Sequence, residues 1–436
     1  MESIKVKTVT VIGSTGTMGA NVAGIFASFG NAKVYALGRD IDKVKKTIHR
    51  IAKSVRADAI TANIVPADFS MLDQCVAESD LVFESSAENM DIKKSIHGGV
   101  AKSLRSDAIA CTGTSGLSIT ELAECYPEDA RNRFFGVHMF NPPYSMSLCE
   151  LIPTKYSDEA LLRELHCYLE KVLYRTVVDV KDSPAFLANR IGFYVINEAL
   201  QFAEKYKDNG GVDYIDAILG QFTGRIMAPI TTADFVGLDV HKAIVDNVHD
   251  NSNDYVNGAF ELPAFVQSLI GDGKLGRKSG AGLYMMEKHD NGSRKLTVWD
   301  IATKQYRELF QYRFPFSEEM KACITEGDYE DAFKVLVNNH SQEAEICLAF
   351  LLRYIVYSLY AAEEIGDSIE AADDVMATGF NWCPPLAMYQ ALSTVVDVRV
   401  LAHERIPEVA ELVDVDRLFN KVKPSKYDYR LYFRSK

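Results

Sequence analysis

Two side chains in the first half of the chain could move protons: His138, in Phe135-Gly136-Val137-His138-Met139-Phe140-Asn141-Pro142-Pro143, and Glu150, in the next apolar run, Leu148–Pro153. A histidine at the carboxyl end of a strand lies where ligands of open α/β sheets bind. A carboxylate hydrogen-bonded to its second nitrogen orients the ring and makes it a better base. Alone, such a histidine is more often a satisfied structural residue, so its reading depends on what accompanies it. A second cluster does so. The β-branched run Thr8–Ile12 leads directly into Gly13-Ser14-Thr15-Gly16-Thr17-Met18-Gly19 and then an apolar helical stretch. Three glycines at such a turn permit a tight bend, close approach of backbone to a pyrophosphate and close helix–strand packing, while the helix start supplies free N–H groups. A tight turn without a ligand is the alternative.

Cofactor choice is read at the end of the second strand, where NAD-binding versions carry a carboxylate that bonds the ribose hydroxyls. Here the strand ends in Gly38-Arg39-Asp40. Glycine removes the acid that would repel a 2′-phosphate and Arg39 could pair with one, which favours NADP over NAD. Asp40 keeps NAD open if the turn is shifted, and Arg39 could instead stack on the adenine. The basic helix that follows (Lys43, Lys45, Lys46, Arg50, Lys53, Arg56) is either a solvated face or a landing site for phosphates.

The elements that must position these residues follow from periodicity. Short β-branched runs at Thr8–Ile12, Lys33–Leu37, Ala59–Val65, Leu81–Glu84, Ala108–Cys111 and Phe134–Val137 alternate with helical patterns, which predicts βαβ units and a mostly parallel sheet. Leu148–Pro153 and Val177–Val180 are expected to close one edge. Ser183 and Pro184 read as N-cap and first turn of a dense apolar helix, opening an all-α region. The fold expected is α/β plus all-α: a Rossmann-like domain over 1–183, a helical domain over 184–290, and a linker with a second helical domain over 291–436. The last two resemble each other. Helices near 184–205 and 341–366 match, as do the acidic-apolar helix, Gly-containing turn and proline near 212–230 and 369–388, suggesting an internal duplication; chance likeness of amphipathic helices is the alternative.

Composition bounds the rest. Of 436 residues, 47 are Lys or Arg and 60 Asp or Glu, a net charge of −13 that argues against general nucleic-acid or anionic-membrane binding. No apolar stretch is read as a membrane span, and the start, MESIKVKTVTVIG, lacks signal-peptide character, so a cytoplasmic location is expected. Eight scattered cysteines read as reduced thiols. The histidines include no zinc-binding spacing, so no metal is expected.

Several motifs in order resemble the L-3-hydroxyacyl-CoA dehydrogenase family: Gly113-Thr114-Ser115-Gly116-Leu117-Ser118, His138-Met139-Phe140-Asn141-Pro142, Glu150, Lys181–Phe186 with Asn189-Arg190, and Gly276-Arg277-Lys278-Ser279-Gly280-Ala281-Gly282. The resemblance covers most of 8–288, and longer members share the duplicated unit. It implies that His138 takes the proton from a 3-hydroxyl as hydride passes to nicotinamide, with Glu150 as its partner. It implies that Ser115 and Asn189 bind the substrate oxygen. It places Glu88, Lys93, Ser115 and Asn141 on the cofactor, beside Gly13, Thr15, Gly16, Thr17, Met18, Gly19, Gly38, Arg39 and Asp40.

Four features depart from the family pattern. The glycine loop is one residue longer, Gly38 replaces the usual acid, Gly113 stands where Asn is usual, and the stretch between Gly38 and Leu81 is shorter where members often insert a hairpin that helps hold CoA. The substrate implied is an L-3-hydroxyacyl-CoA. A 3-hydroxy acid without CoA and a non-catalytic dinucleotide-binding role are the alternatives. Single-unit members dimerise through the helical unit, so this chain is expected to be a monomer with a built-in pseudo-dimer, or a homodimer using another face.

Overall fold

The computed structural model describes residues 3–55, 58–288 and 292–435; Arg56 of the basic helix lies outside them. The chain divides into two compact units, Met1–Phe186 with Ile365–Asp367, and Leu187–Glu364 with Ser368–Lys436. Both helical stretches of the sequence fall in the second.

The first unit is built on strands β1 (Thr8–Ile12), β2 (Lys33–Gly38), β3 (Ile64–Asp68), β4 (Leu81–Glu84), β5 (Ile109–Thr112), β6 (Phe134–Met139), β7 (Leu148–Ile152) and β8 (Thr176–Asp179), with helices α1 (Thr17–Ser28), α2 (Ile41–Val55), α3 (Leu72–Glu78), α4 (Met90–Ser103), α5 (Ile119–Ala123) and α6 (Glu159–Lys171). The sheet order is β3-β2-β1-β4-β5-β6-β7-β8. β4 and β5 are buried along their whole length, as strands covered on both faces must be. Pairing is parallel from β3 to β6, and β7 runs antiparallel to β6 before pairing parallel with β8. The reversal follows from the connections. The short Phe140–Ser147 loop can only return the chain antiparallel, whereas α6 supplies the crossover that a parallel neighbour requires. Between β1 and β4 the strand order changes direction, and the carboxyl ends there form the crevice of a doubly wound sheet.

Two boundaries differ from the sequence reading. Ala59–Val65 is not one strand: Asp58–Asn63 forms a 3-10 helix and β3 begins at Ile64. β2 begins at Lys33 and its Val34 pairs with Ile64, so earlier residues have no strand to lie beside. Pro66 is accommodated because β3 is the sheet's edge. Nor does the long helix begin at Pro184. Ala185 and Phe186 have φ of 61° and 53°, which no α-helix accepts, and the helix starts at Ala188.

The second unit contains α7 (Ala188–Lys205), α8 (Val212–Ile218), α9 (Pro229–Val236), α10 (Leu238–Asn251), α11 (Ala264–Gly271), α12 (Pro315–Glu326), α13 (Tyr329–Asn338), α14 (Gln342–Ile365), α15 (Ala371–Val375) and α16 (Pro385–Ser393), followed by shorter helical turns. By length and apolarity α14 could cross a membrane, unlike the sequence reading, but 78% of its apolar window is buried inside the protein, as in a core helix. The mixed stretch after residue 283 holds elements that periodicity did not reveal: β9 (Tyr284–Lys288), β10 (Arg294–Asp300) and β11 (Gln305–Glu308) form a small antiparallel sheet. Arg307 ties it down through Asp300 and Asp213.

Candidate active site

Dinucleotide chemistry has a place at the sheet's switch point. Gly13, at φ 85°, turns the chain off β1 so closely beside β4 that a Cβ there would lie 2.2 Å from the Ser85 carbonyl oxygen. Gly19 packs as tightly against Gly13. α1 starts after Gly16 with no side-chain cap and no acid in its first turn, whereas Asn89, Ser118 and Asp158 cap α4, α5 and α6. The N–H groups and dipole of α1 are thereby left for an anion. A cavity of about 390 Å³ opens there, lined by the backbone of the glycine loop, by Gly38 and Arg39 from β2, by Ser85–Ala87 after β4, and by the apolar Phe69, Ile92 and Ile96. Glycine backbone, an uncapped helix start and an apolar wall fit the phosphates and a base of a dinucleotide.

Thr15, Gly16 and Arg39 line this cavity, while Met18 and Thr17 lie in the first turn of α1. Asp40 instead caps α2, its Oδ1 accepting from Asp42 N–H at 3.0 Å and Lys43 N–H at 3.2 Å. A Cβ at Gly38 would meet Val44 Cγ2 at 2.8 Å and Thr15 Cγ2 at 3.0 Å, so an acid at this position has no room while those side chains stand.

Further along the carboxyl edge, β6 and β7 put His138 and Glu150 directly opposite each other in an antiparallel pair, on one face of the sheet. His138 Nδ1 lies 2.7 Å from Glu150 Oε2. With the carboxylate accepting from Nδ1–H, Nε2 is the ring nitrogen left to exchange a proton. Among the described residues no hydrogen bond engages Nε2; the rings of Phe140 and Phe186 flank the imidazole at 4.5 and 5.6 Å. Glu150 is fully buried and His138 only 5% exposed.

Ser115 follows β5, the neighbour of β6. Its N–H and the Thr114 hydroxyl donate to Glu88 Oε1 at 2.7 and 2.5 Å, which fixes the turn. Gly113 rather than Asn stands here because the Phe83 ring occupies the space, 2.7 Å from where a Cβ would be. Asp182 braces the same loop from below, accepting from Ile119 N–H, Thr120 N–H and the Ser118 hydroxyl. Asn141 is exposed after β6 and accepts from Asn21 on α1 at 3.2 Å. Asn189 belongs to the second unit, as the second residue of α7.

Lys93 behaves differently from the other predicted cofactor contacts. It is 1% exposed, and its ammonium sits 3.1 and 3.2 Å from the two oxygens of Glu84 and 3.5 Å from Glu88. Glu84 also accepts from Thr112 Oγ1 and Ser86 N–H. Burial pushes this carboxyl up, but donors and charge from His97, Lys93 and Ser86 outweigh it and hold the group well below the usual carboxylate range. Sequence reasoning missed Glu84, Thr112 and Asp182. A carboxylate closing the otherwise apolar strand Leu81–Glu84 was the signal for the first.

Family models describe the same division. The 3-hydroxyacyl-CoA dehydrogenase NAD binding domain matches residues 8–183 and the 3-hydroxyacyl-CoA dehydrogenase C-terminal domain matches 186–286. A probable 3-hydroxyacyl-CoA dehydrogenase of Caenorhabditis elegans is 31% identical over 298 residues, covering 64% of this chain and 93% of its own length. The chain belongs to the 3-hydroxyacyl-CoA dehydrogenase family. It is an NAD(P)-dependent oxidoreductase of that class. A probable 3-hydroxyacyl-CoA dehydrogenase of Bacillus subtilis is 30% identical over 351 residues, covering 80% of this chain, which spans 43% of that longer relative. Among solved structures, (S)-3-hydroxybutyryl-CoA dehydrogenase from Ralstonia eutropha is 28% identical with a TM-score of 0.58, covering 65% of this chain and all of its own. The 3-hydroxybutyryl-CoA dehydrogenase of Escherichia coli, at 20% identity, shares the fold over 96% of this chain and 99% of its own, with a TM-score of 0.69.

Proposed function

We propose that the protein interconverts an L-3-hydroxyacyl-CoA and the 3-oxoacyl-CoA. The observation that carries this reading is the cross-strand His138–Glu150 pair at the carboxyl edge of the sheet, with Nε2 lacking a partner among the described residues. In the oxidative direction His138 Nε2 takes the proton of the 3-hydroxyl, and Glu150, holding Nδ1–H, stabilises the imidazolium that forms. The nicotinamide of the dinucleotide supplies the hydride acceptor. Ser115 binds the substrate oxygen and favours the negative charge that develops there during reduction, a role the family pattern also implies for Asn189. Glu88 and Asp182 keep the Ser115 turn in place. Gly38 and Arg39 favour the phosphorylated dinucleotide over NAD.

The organisation expected from the sequence belongs to the same proposal: a nucleotide domain over 1–183 and two related helical domains over 184–290 and 291–436, the second standing in for a partner's helical unit in a monomer or, in a homodimer, leaving contact to another face. Matching carboxylates support the duplication. Asp216 on α8 accepts from Ile230 N–H at the start of α9, and Asp373 on α15 accepts from Leu386 N–H at the start of α16, each just after a proline. Burial pushes both carboxyls up, to about 6 and about 7. A cytoplasmic location fits the eight free cysteines.

One observation favours a substrate without CoA. Between β2 and β3 the described residues form one α-helix and a 3-10 helix, without a second α-helix to complete a hairpin. Initial rates of NADPH and NADH oxidation with acetoacetyl-CoA and with free acetoacetate separate the two. Turnover is expected with the thioester, and turnover with acetoacetate alone would replace the proposal by the second reading.

A further inference from the structure

Beside the glycine loop, contiguous with the first cavity through Thr15 and Arg39, lies an open pocket of about 580 Å³ lined by Thr15, Arg39, Asp40 and Lys43. We infer that this pocket is a subsite for the 2′-phosphate of a dinucleotide's adenosine ribose, with Arg39 and Lys43 as its two cations. The inference rests on the dinucleotide reading of the adjoining cavity and adds to it which dinucleotide is selected and by which groups.

Three observations converge. The position that would carry a ribose-binding acid is Gly38, and the Thr15 and Val44 side chains crowd the space where its Cβ would stand. The neighbouring acid is engaged elsewhere: Asp40 Oδ1 accepts the two N–H groups that start α2, and its Oδ2 faces the Lys43 ammonium at 3.9 Å. The other carboxylate of this turn, Asp42, is held by Lys45 at 3.3 Å. Finally, the cations are not scattered. Lys43, Lys46, Arg50 and Lys53 recur along α2 at spacings that put them on one face, and Arg50 donates to the Thr15 carbonyl of the glycine loop at 3.4 Å, bringing that face to the pocket. Among the described residues no ion pair engages Arg39, so its planar fork is available to a phosphate in a way that a lone ammonium could not match. Even counting Asp40 against it, the local field favours a dianion over a pair of neutral hydroxyls.

Isothermal titration of the full chain with 2′-phospho-ADP-ribose and with ADP-ribose tests this without nicotinamide or turnover. The phosphorylated ligand is expected to bind at least about tenfold tighter, with an advantage that shrinks as salt is raised. Arg39→Ala and Lys43→Ala are each expected to remove most of that advantage while leaving ADP-ribose affinity nearly unchanged. Equal or tighter binding of ADP-ribose would overturn the subsite alone, as would an Arg39→Ala variant that weakens both ligands alike, the mark of adenine stacking. Failure of both ligands to bind would overturn the dinucleotide reading as well. Coenzyme A carries a ribose 3′-phosphate of similar chemistry, and its displacing 2′-phospho-ADP-ribose at equal concentration would overturn the inference by reassigning the cations to the acyl carrier.

Discussion

The sheet unit contains two buried histidine–glutamate pairs that teach different things. In the first, Glu84 at the end of β4 faces His97 on α4, with Nε2 3.4 Å from Oε2. The other histidine nitrogen lies 2.8 Å from the Tyr126 hydroxyl, and Lys93 supplies the balancing charge. The network is assembled from β4, β5 and α4 of the unit itself, and burial lowers the His97 imidazole below its ordinary value. In the second, Glu150 binds one nitrogen of His138, and among the described residues no group answers the other. Both pairs have the residue types of an acid–base dyad. What separates them is the lysine, which makes the first a buried ion pair, whereas in the second the His138 Nε2 has no hydrogen bond among the described residues.

The strongest break in the comparison would come from His138→Asn. If this pair carries the proton transfer, the variant should lose about 10²–10⁴-fold in kcat for acetoacetyl-CoA reduction while its melting temperature stays close to that of the parent chain, since Asn can still donate to Glu150. Near-parent turnover would place the chemistry elsewhere.

Lys93→Met tests the other side. Removing one partner of a buried ion pair strands the second, at a typical cost of about 3–5 kcal/mol, and should lower the denaturation midpoint severely while the folded fraction keeps its affinity for NADPH. The opposite pattern, normal stability with weakened dinucleotide binding, would support Lys93 as the cofactor contact that the family pattern implied and undo the distinction drawn between the two pairs.

That distinction was only half legible in the sequence. The alternating apolar runs revealed seven of the eight sheet strands to within a residue or two, because buried parallel strands announce themselves as continuous β-branched segments. His138 and Glu150 could be paired because a short loop between two strands forces them antiparallel and so opposite each other. Glu84 was hidden by the same logic: closing a run of apolar residues, it looked like the strand's end and not like the hub of a network whose members come from β4, β5 and α4. Pro184 misled for a local reason. Ser-Pro is a good helix start, but Asp182 is drawn to the head of α5, and Ala185 and Phe186 take left-handed conformations before the helix can begin. Long-range hydrogen bonds of this kind leave no periodic trace.

The smallest expected effect concerns pH. The Glu84 carboxyl titrates below its ordinary value of about 4.5, so the folded state binds its proton less readily than the unfolded state does. The stability it contributes is therefore complete above that value and is lost as pH falls through the folded value. Glu84→Gln, nearly isosteric, removes this group from the balance and is expected to be less stable than the parent at pH 7. The gap should then narrow on acidification from pH 6 to pH 3, by at least about 1.4 kcal/mol, the worth of one unit of depression. Denaturant midpoints of both chains across that range measure it, and other depressed carboxylates such as Asp80 cancel because both chains carry them. A gap that stays constant with pH would mean that Glu84 is no more acidic folded than unfolded, and the lysine would then fail to distinguish the structural pair from the catalytic one.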